Sequence, residues 1–312
     1  MFQYIADIIS FGLFKLNPAS TLGQSVNFFI YDSLKITFSI IIIITIISFL
    51  RTYLSSQNIK QILSKEKFGL SYLIASLFGA ISPFCSCSSV PIFIGFAKAG
   101  VPIGVAFAFL ITSPLVNEIV FVLMIGTFGL KTALLYSSFG ILLGIVGGMI
   151  LQRTGLDKDI IGVDKKAEEE YLPKTLSGKL EYAISETASI LKRIFPYILI
   201  GIAIGAFIHG YVPTDFITTH IKSKSLFAVP IAVLIGVPLY AGCSTLVPII
   251  FAFTQKGIAT GTALALMMAV AGLSFPEAVM LKSVMKTRLL LIFFSIVTIG
   301  IICIGYFFNL IY

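Results

Sequence analysis

Long apolar stretches alternate with short polar ones along this chain, and each apolar stretch has the length of a membrane-crossing helix. A helix rises about 1.5 Å per residue, so about 20 apolar residues cross the roughly 30 Å hydrocarbon core of a bilayer. The pattern therefore predicts an all-α integral membrane protein with about eight transmembrane helices. They fall approximately at 27–50, 68–97, 101–127, 129–151, 194–211, 226–254, 258–281 and 288–311.

One polar stretch divides these spans into two sets of four. It holds most of the acidic residues, interspersed with lysines, so it must lie in water. We therefore divide a single membrane domain, 1–312, into repeat one at 24–151, a polar linker at 152–193 and repeat two at 194–312. Four spans return a chain to the side from which it started. This predicts parallel repeats, related by an axis along the membrane normal, with both termini and the linker on one side.

The two halves share an ordered set of residues. Cys87 and the four residues after it also resemble Cys243 to Pro248, with one residue inserted. Internal repeats of this kind are typical of transporters. The shared set is Pro91, Ile92, Phe96, Gly100, Gly104, Ala106 and Ala108, which recur as Pro248, Ile249, Phe253, Gly257, Gly261, Ala263 and Ala265.

Proline and small polar residues interrupt the apolar spans about 15 to 20 Å from the turns at 98–101 and 255–258, which is near the bilayer midplane. Proline removes a backbone donor, and broken backbone is tolerated at that depth only inside protein or beside a water-filled cavity. We therefore expect two four-helix repeats whose broken helices converge on one central site. The alternative is that the prolines are ordinary helix kinks.

Composition excludes a soluble protein, since 57% of the residues are hydrophobic, 12% are charged and the mean hydropathy is +1.02. The net charge of +8 fits lysine and arginine at lipid headgroups and does not require nucleic acid. We expect a multi-pass protein of the cell (plasma) membrane whose partners are the lipid bilayer and a small-molecule substrate. A homo-oligomer remains open.

Three cysteines lie at the predicted breaks, Cys85 and Cys87 in the first half and Cys243 in the second. Thiolates prefer soft partners such as Cu(I) or trivalent arsenic, so these residues are candidate substrate ligands and the candidate ligands of any soft metal or metalloid. The alternative is that they pack as small buried hydrophobes. Cys303 lies in a smooth apolar span, and we exclude it from the site.

Two carboxyls, Glu118 and Glu277, lie deep within apolar spans. Ionisable groups at that depth are costly and usually functional, so we predict that they couple transport to proton movement. Alternatively, each carboxyl satisfies the backbone opened by the neighbouring proline. Hydroxyl and amide groups near the same breaks would bind the substrate, unless they only bond to their own helices. They are Ser88, Ser89, Thr112, Ser113, Asn117, Ser244 and Thr245.

Three strings in this sequence resemble the ArsP/YraQ-type permeases: Phe84 to Pro91, Phe109 to Glu118, and Ser274 to Glu277. The resemblance covers nearly the whole chain. It implies an eight-span permease, and some members of that family export trivalent organoarsenicals such as methylarsenite. The motifs are specific for the family and weak for the substrate.

Together these observations predict a secondary transporter, and not an enzyme, that exports a small thiophilic solute such as a trivalent organoarsenical by proton antiport, without a cofactor. Two alternatives remain open at this stage. One is a transporter of another small metabolite, an anion or a soft metal ion. The other is a membrane thiol-redox protein, although such proteins usually carry Cys-X-X-Cys and not Cys-X-Cys.

Overall fold

The structure is a computed structural model that describes residues 2–51, 69–82, 86–98, 100–161, 175–211, 227–239 and 243–312. These residues form thirteen α-helices. In chain order they are α1 Phe2–Asp7, α2 Thr21–Arg51, α3 Leu70–Ile81, α4 Ser86–Lys98, α5 Ile103–Leu115, α6 Glu118–Phe128, α7 Leu130–Arg153, α8 Leu176–Tyr211, α9 Ala228–Gly236, α10 Cys243–Gln255, α11 Thr260–Gly272, α12 Phe275–Lys282 and α13 Thr287–Ile311.

The prediction of an all-helical membrane protein is confirmed. Within the described residues, three segments are long and apolar enough to cross a membrane: Leu130–Arg153, Thr260–Lys282 and Thr287–Ile311. A fourth is added if α5 and α6, which meet at an angle of 42°, count as one bent span. The central helices α5 and α11 are buried along almost their whole length, whereas α7 and α13 each expose one side.

Helices α5 and α7 run in opposite directions and pack closely. At one end Gly104 donates its backbone N–H to the side-chain oxygen of Gln152, at 2.6 Å, and at the other end Gly140 packs against Val116. The second half repeats the arrangement, because the side-chain oxygen of Asn309 accepts from the backbone N–H of Thr262 at 3.2 Å. Each amide thus satisfies an N–H at a helix start that would otherwise lack a partner.

Helix α3 runs in the same direction as α5. Ser76 donates to the carbonyl of Ala108 at 3.5 Å, and further along both helices a Cβ added to Gly79 would lie 3.2 Å from the backbone nitrogen of Ser113. Helix α4 runs back the other way, since it is joined to α5 by a tight turn. Consequently α3 begins and α4 ends at the same level, beside the start of α5. We call this pair the first hairpin.

The second half contains an equivalent pair, which we call the second hairpin. A Cβ added to Gly236, the last residue of α9, would lie 3.2 Å from the carbonyl of Leu266, whereas Val229 lies beside Gly305, at the level where α11 begins. Helix α9 therefore runs with α11, and α10 returns to the turn at Gly257, where φ is +90°. Such a φ favours glycine, and Gly100 adopts a φ of +77° at the equivalent turn of the first half.

Helices α7 and α13 pack antiparallel. Thr132, near the start of α7, shares a 2.7 Å hydrogen bond with the hydroxyl of Tyr312, at the end of α13. Midway, Leu143 packs against Gly300. The rings of Phe139 and Phe308 lie 5.8 Å apart between these two points. Within lipid, the hydrophobic effect does not drive helices together. Helix pairs there depend on such close packing at small residues.

These directions correct the sequence-based expectation about the repeats. Parallel repeats would require the equivalent helices α7 and α13 to run the same way, and they run in opposite ways. The linker follows the end of α7 in the sequence, whereas Tyr312 lies beside the start of α7, so the end of α7 and Tyr312 lie at opposite ends of the molecule. We refer to these ends as the linker side and the Tyr312 side.

A short contact joins the two halves on the linker side. Beyond α7, Ile160 forms an isolated antiparallel bridge with Met285, in the connection between α12 and α13. The ammonium of Lys286 pairs with the carboxylate of Asp159 at 3.2 Å. The connection from α12 to α13 therefore lies on the linker side.

Candidate functional site

The first component of the site is the break between α5 and α6. Pro114 lies in the last turn of α5, where it removes a helix donor, and the chain becomes extended at Val116 and Asn117. The side-chain oxygen of Asn117 then accepts from the backbone N–H of Val120 at 2.9 Å. Asn117 is thus the N-cap that starts α6, and one of its polar atoms serves the backbone.

The second component is the break between α11 and α12. Helix α11 ends at Gly272, and Leu273 is its C-cap residue. Ser274 takes the N-cap position of α12 with extended backbone, and Pro276 follows in the first turn. Proline suits this position because the first N–H groups of a helix have no intrahelical acceptor. Unlike Asn117, Ser274 makes no capping bond through its side chain, although it is buried.

The two breaks lie against each other. A Cβ added to Gly272, the last residue of α11, would come within 2.8 Å of Leu115, the last residue of α5. The side chain of Leu115 thus packs against the backbone of Gly272, where the two central helices end. The ends of α5 and α11 therefore lie side by side, with Asn117 and Glu118 following α5 along the chain and Ser274 and Glu277 following α11.

The two carboxyls differ in their burial. Glu277, in the first turn of α12, is fully buried, whereas Glu118, the first residue of α6, is partly exposed. One carboxyl oxygen of Glu118, Oε2, is nevertheless buried and has no hydrogen-bond partner among the described residues. Both glutamates lie at the start of a helix, where the macrodipole favours negative charge.

Ser89 and Ser113 form a buried hydroxyl pair, with their oxygens 2.5 Å apart. The pair joins the first turn of α4 to the last turn of α5, so it ties the tip of the first hairpin to the break. In the second half, the positions 157 residues later are Leu246 and Val270, which are also buried. The hydroxyl pair therefore exists in one half only.

Thr112 points about 100° away from Ser113 around the axis of α5. Its hydroxyl donates to the carbonyl of Ala108 at 2.9 Å, and the side chain packs on Gly144 of α7, where a Cβ would overlap it. This hydroxyl bonds within its own helix, which is the alternative that the sequence left open for such residues. The structure does not bring Thr112 together with the Ser89–Ser113 pair.

In the sequence, three thiols fall where the two helices of each hairpin are connected. Cys85 lies outside the described residues, between α3 and α4. Cys87 and Ser88 fall in the first turn of α4, and Cys243, Ser244 and Thr245 in the first turn of α10, but their side chains lie outside the described part. In the part that is described, no three His, Cys, Asp or Glu residues cluster as a metal site would require. Cys303 is exposed on α13.

Four helices, α4, α6, α10 and α12, begin at these breaks and tips. A helix N-terminus carries about half a positive elementary charge, so this arrangement favours bound anions, thiolates or carboxylates. Sequence reasoning missed Ser274 and the two amides, Gln152 and Asn309. The signal was available, since Gln152 and Asn309 are separated by the same 157 positions as Gly104 and Gly261.

Comparison with known proteins gives one family and three relatives. The ArsP_1 family, described as a predicted permease, matches residues 21–310. A protein named UPF0718 protein MJ0584, from Methanocaldococcus jannaschii, is 26% identical over 76% of this chain and 81% of its own length. UPF0718 protein YcgR from Bacillus subtilis is 29% identical over 53% of this chain and 57% of its own length.

A third relative, from Streptococcus mutans, is named a putative two-component membrane permease complex subunit. It is 29% identical over 60% of this chain and 63% of its own length. No solved structure matches the chain.

Proposed function

We propose that this chain, which belongs to the ArsP_1 family of predicted permeases, is a secondary transporter that exports a small thiophilic solute by alternating access. The observation that carries the proposal is the meeting of the two broken helix pairs at Leu115 and Gly272. Broken helices that meet between opposed halves are the usual binding-site construction in secondary transporters.

The opposed halves are the first part of this proposal. Leu115 and Gly272 are 157 positions apart, as are Leu143 and Gly300. In each pair, the two residues pack against each other. Equivalent residues in contact lie on a two-fold axis. Because α7 and α13 are antiparallel there, the axis lies in the membrane plane, and the halves are inverted repeats.

Inverted repeats need an odd number of crossings in each half. In this proposal each half contributes three full spans and one re-entrant hairpin, which replaces the eight full spans expected from hydropathy. The first hairpin enters from the linker side and the second from the Tyr312 side, so their tips approach the midplane from opposite directions. With three spans in each half, the chain would be a multi-pass protein, and we place it in the plasma membrane, as expected from the composition.

The thiols define the proposed cargo. Cys85 and Cys87 belong to the tip of the first hairpin and Cys243 to the tip of the second. Methylarsenite has two exchangeable oxygens on arsenic, so two sulfurs suffice to bind it, and a third sulfur from the opposite hairpin allows the ligand set to change. Such shifting coordination lets a soft centre bind and still leave.

Proton antiport is the proposed coupling. Glu277 is buried at the break in one half, and Glu118 places a buried, unbonded oxygen at the break in the other. A desolvated carboxyl can take up a proton when the cargo leaves and release it when the cargo binds. The hydroxyls of Ser89 and Ser113, with Asn117 and Ser274, supply the polar lining near these carboxyls.

Export assays with thiol variants test this function. In cells that lack other exporters, the parent should confer resistance to methylarsenite, and Cys85→Ser, Cys87→Ser and Cys243→Ser should reduce it, most strongly in combination. Cys303→Ser is the matched control, because that thiol is exposed away from the breaks. Arsenite and Cu(I) assayed in parallel distinguish organoarsenical export from other soft cargo. Full export by the triple variant would disprove the thiol site.

A further inference from the structure

The described connections at the two ends of α7 and α13 differ in their number of exposed basic residues. On the linker side, Arg153 and Lys158 follow α7, and Lys282, Lys286 and Arg288 surround the α12–α13 connection; all five are exposed. On the Tyr312 side, the turns between α6 and α7 and between α10 and α11 expose only Lys131 and Lys256 among their described residues. These ends are fixed by the contacts of α5, α7, α11 and α13.

The linker-side residues form one continuous surface across both halves. The bridge between Ile160 and Met285 holds the segment after α7 against the α12–α13 connection. Asp159 neutralises Lys286 at 3.2 Å, so the surplus charge belongs to the other four residues. We call Arg153, Lys158, Lys282 and Arg288 the basic rim.

The described turns on the Tyr312 side expose two cations, and one of them makes a contact within the protein. The ammonium of Lys131 lies 6.0 Å from the centre of the Tyr312 ring, in a cation–π contact. The same ring is held by the hydrogen bond from its hydroxyl to Thr132. Lys256 is then the one exposed cation of the described turns on this side without such a contact.

We infer that the basic rim is a lipid-binding surface that contacts the anionic headgroups of the cytoplasmic leaflet. Lysine and arginine near span ends favour the cytoplasmic side, which carries the negative lipids. The linker therefore faces the cytoplasm, and Tyr312 faces the other side. The unequal distribution arises from the antiparallel halves, so this inference rests on the inverted arrangement proposed above.

The orientation fixes which hairpin faces which compartment. The first hairpin, which carries Cys85 and Cys87, enters from the cytoplasm, and the second, with Cys243, enters from the outer side. An exported thiophilic solute would meet the Cys-X-Cys hairpin first and leave past the single cysteine.

Labelling of introduced cysteines tests the orientation. Lys158→Cys and Lys256→Cys are introduced separately, and a membrane-impermeant maleimide is added to intact or permeabilised cells, with the parent chain as the background. We expect Lys256→Cys to react in intact cells and Lys158→Cys only after permeabilisation. The reverse result would overturn the lipid-binding assignment and leave the inverted halves intact. Reaction of both positions in intact cells, or of both only after permeabilisation, would overturn the inverted halves as well.

Neutralising the rim tests the cause of that orientation. With Arg153, Lys158, Lys282 and Arg288 all changed to Gln, insertion should become mixed, and labelling of Lys256→Cys in intact cells should fall to about half. Lys131→Gln is the matched control and should leave the labelling unchanged. An unchanged orientation in the fourfold variant, with normal expression, would show that the rim does not bind the anionic leaflet.

Discussion

Leu143 of α7 packs directly against Gly300 of α13, and the two residues hold the same place in the two halves of the chain. A leucine on one side fills the space that a missing side chain leaves on the other. In the inverted arrangement that we propose, this contact between antiparallel helices lies on the axis that relates the halves.

Filling that space should destabilise the protein. Gly300→Leu places a side chain where even a Cβ would overlap Leu143, and overpacking of this kind costs about 1–3 kcal/mol. The measurement is thermal unfolding in detergent. Gly126→Leu is the matched control, since no atom lies within 4 Å of a Cβ added there. Exchanging the two residues, with Leu143→Gly and Gly300→Leu together, should restore part of the loss; no recovery would contradict the direct contact.

The Ser89–Ser113 pair gives a second test, of the link between the first hairpin and α5. Removing one hydroxyl breaks the buried hydrogen bond between the pair, so Ser89→Ala or Ser113→Ala should each destabilise the protein by about 1–3 kcal/mol. The double variant should cost little more than either single variant. Unfolding of all three measures the coupling, with exposed Ser295→Ala as the control. Strictly additive losses would show that the hydroxyls do not interact.

The glutamates at the two breaks should determine the response to a pH gradient. In reconstituted vesicles, an imposed pH gradient should drive export by the parent. The double variant Glu118→Gln with Glu277→Gln should lose this stimulation and remain folded. Gln keeps the size and polarity of Glu but cannot release a proton. Glu181→Gln, on the exposed start of α8, serves as the control. Gradient-driven export by the double variant would exclude these carboxyls as proton carriers.

The sequence predicted an all-helical chain, the turns at 98–101 and 255–258 and the break before Glu118, because prolines, glycines and apolar length mark them locally. It did not predict the directions in which the helices run. The apolar stretch at 68–97 has the length of one span, and only the contacts of Ser76 and Gly79 with α5 show that α3 runs beside α5 and turns back.

The positions of single hydroxyls were equally beyond the sequence. Thr112 and Ser113 are neighbours in one polar cluster, but successive residues on a helix point about 100° apart. One therefore packs against α7 and the other bonds to Ser89. Periodicity alone does not say which side of a fully buried helix faces the other half, because α5 has no exposed side to orient it.

Cross-linking across α7 and α13 tests the opposed halves most directly. In a Cys303→Ser background, we compare Thr132→Cys with Tyr312→Cys against Thr132→Cys with Arg288→Cys, using a short bifunctional maleimide on membranes. The antiparallel packing predicts that the first pair is cross-linked and the second is not, since Thr132 and Tyr312 share a hydrogen bond and Arg288 lies near the other end of α13. Cross-linking of the second pair, without the first, would show parallel halves and contradict alternating access between inverted repeats.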